Sequence, residues 1–413
     1  MAVSKRGQAL DRARELKERI GDYLEACVRI PTGEICRERI QAQKERILGF
    51  LGGREEDWQS WQWQVANRIT DPLALKEIIN LSPQELEEIR TTGAQFRWAI
   101  SPYYASLMDP DDPDCPVRRQ GVPQLAEVMD GKGTMDPMAE AFTSPEVGIT
   151  RRYPDRLIIY VTNQCAMYCR HCQRRRNIGE VDHHTTKGHL LKSLAYIREN
   201  PEIRDVLLTG GDAFLLPDKT LDWLLTELDA IPTVEIKRLG TRTPVTMPQR
   251  VTPELCEILK RHHPVYVNTQ FNHPLEVTAD AKEACARLAQ AGVPLGNQAV
   301  LLKGINDDPH TMKKLNQELL KILVRPYYIF HAKEVKGTAH FATSVEAGLE
   351  IMEKLRGYTS GLAVPSYIIN APLGGGKTPV LPDYLLRLTP EQAVLRTWEN
   401  RVFFYPNKRE GRK

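Results

Sequence analysis

The chain has 413 residues, 41% of them apolar and 26% charged, with a formal net charge of +3. This is ordinary soluble usage, which excludes disordered, collagen-like and coiled-coil composition. A charge so near zero does not by itself point to nucleic acid or an anionic membrane as partner. At roughly 150 residues per domain the length suggests two or three domains, although a (β/α) barrel can use about 200 or more as one. No stretch approaches the ~18 uninterrupted apolar residues of a membrane-spanning helix. The first twenty residues are too charged for a secretory signal, so the protein is expected in the cytoplasm with no membrane partner.

Residues 1–100 read as a helical domain. Leu10, Ala13, Leu16, Ile20 and Leu24 recur at helical spacing, as on a surface helix. Ser82-Pro83-Gln84-Glu85 is a capping box with proline at the first helical position. Trp58, Trp61 and Trp63 are expected to pack between helices. Residues 101–150 are irregular and proline-rich, a connection wrapping the next domain. From 151 to 363 short β-rich runs alternate with amphipathic helices. The predicted strands are 156–162, 205–209, 234–240, 265–271, 295–302 and 324–330, with a further strand at 364–370. Helices fall between them, at 218–230, 253–262, 279–290, 309–322 and 344–356. Such alternation implies a parallel sheet with right-handed crossovers. Six βα units and a final strand fall short of an eightfold barrel. The expected fold is therefore α/β: a partial (β/α)6 TIM-like barrel, with an N-terminal helical domain and a C-terminal, strand-containing extension over 364–413.

Chemistry in such sheets sits beyond the carboxyl ends of the strands. There the sequence places a cysteine triplet, TGGD, GTRT, TQFNH, HAKE and NAPLGGGKTP in succession. Eight cysteines in a chain of this kind do not make a disulfide framework. Five are scattered and read as buried thiols. Cys165, Cys169 and Cys172 form CxxxCxxC, thiolate ligands of the kind an iron–sulfur cube uses, with no fourth nearby. One iron would then be free to chelate a small molecule carrying an amine and a carboxylate. A zinc site completed by His171 or a distant cysteine is the alternative.

The segment APLGGGKT, from Ala371 to Thr378, superficially fits a phosphate loop. That motif needs a following helix, which Pro379 and Pro382 forbid. A lysine on a flexible glycine loop inside an enclosed site can instead form a Schiff base with pyridoxal phosphate. A surface turn lysine is the plain alternative for Lys377.

The triplet with its aromatic Tyr168 resembles the radical S-adenosylmethionine superfamily. Much of the chain, from roughly Trp58 to Val380, resembles the lysine 2,3-aminomutase family within it. The resemblance is carried by WQWQVANRI, SPYYASLMDPDDPDCPVRRQ, RRYPDR, CAMYCRHCQRRR, DVLLTGGDA, RTPVTMPQRVTPEL, NTQFNHP, AGVPLGNQAVLL, VRPYYI and GGGKTPV. It implies an isomerase that shifts an amino group between C2 and C3 of an amino acid by radical chemistry. It implies a [4Fe–4S] cluster on Cys165, Cys169 and Cys172. Gly210, Gly211 and Asp212 of the glycine-rich loop, with Gln298, would contact S-adenosylmethionine. Pyridoxal phosphate would be anchored by Lys377, with Arg152, Tyr153 and Arg156 beside it. Arg174 would grip the substrate α-carboxylate, and at least one of Arg174, Arg175 and Arg176 is expected on a solvated face. A reductant such as flavodoxin or ferredoxin, and a homo-oligomer, are also implied. Gln270 stands where lysine-specific relatives have His. No cysteine follows Cys285, so the zinc that some relatives bind between subunits is not expected.

Two departures bear on the substrate. Lysine-specific members place aspartates where this chain has Lys333 and Asn370. An ammonium facing Lys333 would be repelled and desolvated, whereas a carboxylate would gain a charge-assisted bond from Lys333 and an amide donor from Asn370. The pair resembles glutamate-specific members. Lysine, aspartate, arginine or a protein-bound lysine remain alternative substrates, and His331 reads as a structural histidine. An RNA-modifying radical enzyme is the rival from another class, but the short basic tail after Asn407 resembles no RNA-binding module, so no nucleic acid is expected.

Overall fold

A computed structural model describes residues 4–407; the basic tail lies outside the described residues. Strands β1 (Ile149–Tyr153), β2 (Arg156–Thr162), β3 (Asp205–Gly210), β4 (Ile236–Gly240), β5 (Val265–Thr269), β6 (Leu295–Leu301), β7 (Val324–His331), β8 (Ser366–Ala371) and β9 (Gly376–Pro379) form one sheet in sequential order. Pairing is parallel from β2 to β8 and antiparallel at both edges, β1 on β2 and β9 on β8. Six βα units and a final strand make the expected partial barrel. The sheet begins at Ile149, ahead of residue 151, and takes in β8 and β9 from beyond residue 363. Strands β10 (Leu385–Leu388), β11 (Gln392–Arg396) and β12 (Val402–Pro406) form a separate antiparallel sheet.

Local chemistry explains the elements. Helices opening at Lys187, Pro253, Ala279, Pro309 and Val345 are capped by the side chains of Thr186, Thr252, Thr278, Asp308 and Ser344, each accepting a backbone N–H. Their apolar faces bury Leu190, Leu194, Leu255, Leu259, Leu288, Leu315 and Ile351, and the helix Asp218–Asp229 adds Leu221, Leu224 and Leu225, against Val206, Leu208, Leu239, Val267, Leu295 and Ile329 of the strands. The strand side chains facing the helices are mainly apolar because the helices cover that face, while polar side chains such as Arg238 and Gln298 line the barrel mouth.

The capping box at Ser82 is present, with Ser82 and Glu85 bonding each other's backbone N–H. Trp58 is buried in the main core and tilts against Trp63. The N-terminal helix Lys5–Arg19 buries no residue, so its stripe of leucines faces outward. Among the described residues no helix is long and apolar enough to cross a membrane.

The irregular stretch before β1 holds the barrel mouth through buried charge. Glu127 is 1% exposed and accepts from Arg170 Nε at 2.9 Å, Arg170 Nη2 at 2.6 Å and Arg175 Nη2 at 2.8 Å. Arg170 also donates to the Arg97 and Phe96 carbonyls. Removing one partner of such a set strands the others without compensation. Glu127→Gln should cost about 3–5 kcal/mol, read as a lower midpoint in chemical denaturation. A variant as stable as the parent would remove this network from the account of the fold.

Candidate active site

The segment from Thr162 to the helix at Lys187 has little regular structure, so its backbone groups must find partners elsewhere. Tyr168 N–H donates to Ala99 O at 3.0 Å and Arg170 N–H to Gln120 O at 2.9 Å. Arg68 donates to Cys165 O at 2.7 Å and also pairs with Asp182, which takes the Tyr168 hydroxyl as well. The aromatic side chain before Cys169 is thus clamped, with the Arg97 guanidinium 4.9 Å from its ring centroid. This fixes Cys165, Cys169 and Cys172, which all line one cavity of ≈ 300 Å³ inside the barrel mouth. Burial raises the Cys165 and Cys172 thiol pKa values; the neighbouring cysteines push the same way, and Asp212 does so at Cys165.

The TGGD loop packs directly on this segment. A Cβ on Gly210 would collide with the Thr162 carbonyl oxygen, and one on Gly211 with that of Gln164. Gly210 also has φ +126°, open to glycine but strained for other residues. The N–H groups of Gly211 and Asp212 donate to Thr162 O and Gln164 O. The Asp212 carboxylate accepts from Phe214 N at 3.0 Å and Arg242 N at 2.7 Å. Gln298, on β6, lines the same cavity.

Lys377 is not on a loop. The glycines form the turn of a β8–β9 hairpin, with Gly374 at φ +77° and Gly376 at φ +90°, and Lys377 lies in β9 directly paired with Asn370. Its N–H donates to Tyr153 Oη at 2.9 Å, and its Nζ lies 5.2 Å from the Tyr328 ring centroid. Strand continuation after Lys377 leaves no helix to serve a phosphate loop. Burial, with Arg238, Arg156 and Arg152 adding repulsion and Asp205 opposing it, lowers the Lys377 pKa to about 8.

The arginine run is paired with acids: Arg175 is buried, while Arg174 and Arg176 are partly buried. Arg174 and Arg176 donate to Glu140, at 3.1 and 2.7 Å, and Arg175 pairs with Glu127. Glu140 also accepts from Arg152 at 2.7 Å. Burial alone would raise the Glu140 carboxyl, but Arg174 and Arg152 outweigh it and its pKa falls to about 2. The Arg156 guanidinium stacks 4.0 Å from the Tyr153 ring centroid.

Lys333 and Asn370 line the cavity from the loop after β7 and from β8. The Lys333 loop is pinned by Asp130, which accepts from the N–H groups of Gly337, Thr338 and Ala339. Burial, then Arg174, Arg152 and Lys377, lowers the Lys333 pKa to about 7 against the pull of Glu140. His331 Nδ1 meets the Tyr367 hydroxyl at 2.8 Å, a satisfied structural position. Gln270 Nε2 meets His171 Nε2 at 3.2 Å.

Sequence reasoning missed Glu127, Glu140, Arg238 and Arg242. Arg238 and Arg242 line the cavity; Arg242 lies within GTRT and Arg238 two residues ahead of it, but residue type alone singles out neither. Among the described residues, arginines and lysines from seven positions line this cavity, against the single carboxylate of Asp212. Arg152 Nε, Arg174 Nε and Asn370 Nδ2 are buried donors without a partner among the described residues. Such a cavity suits ligands bearing several anionic groups, as a phosphorylated cofactor and an amino acid do. Among the described residues no three His, Cys, Asp or Glu side chains converge on a single metal ion. A four-iron cluster instead takes one thiolate per iron, which three separate cysteines can provide.

Comparison with known proteins narrows the reading. A family model described as the radical SAM superfamily matches residues 159–315, and one described as lysine-2,3-aminomutase matches 352–411. Glutamate 2,3-aminomutase of Clostridioides difficile (strain 630) is 59% identical over 394 residues, 95% of this chain and 93% of that one. The chain belongs to the lysine 2,3-aminomutase family. L-lysine 2,3-aminomutase of Clostridium subterminale is 49% identical, covering 86% of each chain, and that of Bacillus subtilis (strain 168) is 50% identical over 85% of this chain and 75% of that one. This aminomutase is therefore an isomerase of the radical S-adenosylmethionine superfamily, whose cofactors are a [4Fe–4S] cluster and S-adenosylmethionine.

A lysine with a lowered pKa is neutral, and nucleophilic, at lower pH than usual. Lys377 should therefore react with an amine-directed reagent with a pH midpoint near 8 rather than the ordinary 10.5, as followed by mass spectrometry. A midpoint at the ordinary value would show that neither burial nor the surrounding guanidinium groups act on it.

Proposed function

We propose that this aminomutase acts on L-glutamate, moving its amino group from C2 to C3 to give β-glutamate. The observation that carries the reading is the placement of Lys333 and the unpartnered Asn370 Nδ2 on one cavity wall, with Asn370 the cross-strand partner of Lys377. The 59% identical relative named for glutamate, against 49% and 50% for the two relatives named above for lysine, supports the same choice.

In this reading Cys165, Cys169 and Cys172 hold the cluster, while Gly210, Gly211, Asp212 and Gln298 lie along S-adenosylmethionine. Lys377 holds pyridoxal phosphate, flanked by Arg152, Tyr153 and Arg156. When bound, these groups supply a hydrogen-abstracting radical and a conjugated carrier for the migrating nitrogen. The protein's own work is orientation and exclusion of water. Arg174 offers its free Nε–H to the α-carboxylate while Glu140 keeps the guanidinium in place. Lys333 and Asn370 take the γ-carboxylate with an ammonium and an amide donor. A lysine substrate would bring a third cation against Lys333 and Arg174, without the aspartates that would neutralise it. The electron comes from a flavodoxin- or ferredoxin-like donor, and the setting is cytoplasmic.

Anaerobic incubation of the reconstituted enzyme with glutamate, lysine and aspartate separately, followed by NMR, tests this directly. β-Glutamate should form, and β-lysine as the main product would overturn it. The exchange Lys333→Asp with Asn370→Asp should lower kcat/KM for glutamate at least ~100-fold, about 2.7 kcal/mol of transition-state binding.

The pH dependence has a definite sign. Arg174, Arg152 and Lys377 repel the Lys333 ammonium, Glu140 attracts it, and His331 stands beside it. With a pKa of about 7, Lys333 is roughly nine-tenths neutral at pH 8 in the free enzyme. Binding a dicarboxylate then requires a proton, so affinity falls up to about tenfold per pH unit above 7. Calorimetry at pH 8 in buffers of different ionisation enthalpy should show uptake of close to one proton with glutamate, and none beyond that of the parent's other groups in Lys333→Met.

A further inference from the structure

Arg242 follows β4 in the GTRT segment and is 8% exposed. Its guanidinium is fixed on every side. Nε donates to Gln270 O at 3.0 Å, and Nη2 to Gln120 Oε1 at 2.6 Å and Glu276 Oε1 at 2.8 Å. Its backbone N–H is held by Asp212. The remaining arm, Nη1, points at Cys169 Sγ at 2.8 Å.

Glu276 is fully buried and makes this arrangement rigid. Besides Arg242 it accepts from the Tyr104 hydroxyl at 2.8 Å, Gln120 Nε2 at 3.0 Å and the N–H groups of Asn272 and His273. A guanidinium needing only a carboxylate could stay with Glu276. Here it is braced so that one N–H is left for a sulfur. Among the described residues Cys169 is the only member of the triplet that receives a charged side-chain donor; Cys172 has the Arg174 backbone N–H, and the nearby Arg68 donates to the Cys165 carbonyl rather than its sulfur.

We propose that Arg242 sets the reduction potential of the iron–sulfur cluster through Cys169. The inference rests on the reading of the triplet as cluster ligands. Reduction adds one electron, taken from a low-potential iron–sulfur or flavin protein. It makes or breaks no bond and leaves the guanidinium protonated. The added negative charge spreads onto the thiolate sulfurs. A fixed cation hydrogen-bonded to one of them, in a site with little water to screen it, stabilises the reduced form over the oxidised one. Ligand-sulfur hydrogen bonds and outer-shell charge are the protein's means of setting such potentials. The same contact makes the cluster electronically unequal at its three anchored corners, with Cys169 the best stabilised.

The test is an anaerobic redox titration of reconstituted protein without S-adenosylmethionine, followed by EPR of the reduced cluster, after iron and sulfide have been counted. Arg242→Gln should load iron as the parent does. At a fixed solution potential near the parent midpoint, its ratio of reduced to oxidised cluster should fall at least tenfold, which for a one-electron couple is 59 mV. Arg242→Lys keeps the charge but cannot bond Glu276, Gln120 and Cys169 together. It should fall by a smaller factor, and it decides the matter if the Gln variant does not fold. Loaded variants that titrate with the parent would overturn the role of Arg242. A parent that binds no four-iron cluster would instead overturn the reading of the triplet.

Discussion

A carboxylate removed from water has to be met by charge, and two such groups organise the mouth of this barrel. Glu127 and Glu140 both come from the stretch ahead of β1 that has almost no regular structure. Glu127 fixes Arg170 and Arg175, one on either side of Cys172, while Glu140 fixes Arg152, Arg174 and Arg176. The cysteine loop cannot satisfy its own backbone, so its course is set by these ion pairs and by the carbonyls of Phe96, Arg97, Ala99 and Gln120. The helical N-terminal region and the irregular connection are thus the outer wall of the site. Without them the barrel would carry the right residues on a loop with no fixed path.

The same arrangement leaves the cavity rich in positive charge. Burying cations against each other costs stability, and the lysines respond by lowering their pKa values, to about 7 at Lys333 and about 8 at Lys377. The arginines cannot respond that way and remain charged. Anionic ligands relieve this repulsion on binding, so the strain is a means of recognition. It is confined to the mouth, where the helices and strands beneath are apolar and fully packed. Sites that break the rules of core burial commonly do so for function.

Much of this architecture is legible in the sequence. Strands β2 to β8 each carry β-branched or other apolar residues that are buried, among them Leu157, Val206, Leu239, Val267, Leu295, Ile329 and Ile368, and most of the helices between them carry side-chain caps. Edge strands β1 and β9 escaped because ITRRY and GKTP are short and polar, and pair on one side only. The expected strand-containing extension is present, but the individual strands β10 and β12 are not marked in the sequence because their side chains are exposed, so alternation of burial leaves little trace. The cysteine triplet and Lys377 were legible because their chemistry is carried by residue type and spacing. Glu127 and Glu140 were not, since a lone acid in a proline-rich stretch carries no sign of an arginine distant in sequence. Arg242 lay in a noticed segment, but only the fold brings its guanidinium to a sulfur. The basic character of the arginine run is plain in the sequence, while its partners Glu127 and Glu140 are not.

The hairpin that carries Lys377 has one last implication. Its main chain is bound to β8 on one side and to the Tyr153 hydroxyl at the N–H, so the anchor point cannot drift. All freedom left to this residue is that of four methylene groups. An amine displaced from its partner would therefore stay within a side chain's reach, sealed beside Tyr328 and Phe330. It would remain there as a local proton acceptor, able to recapture what it released, with no need for a lid to open or a loop to fold back.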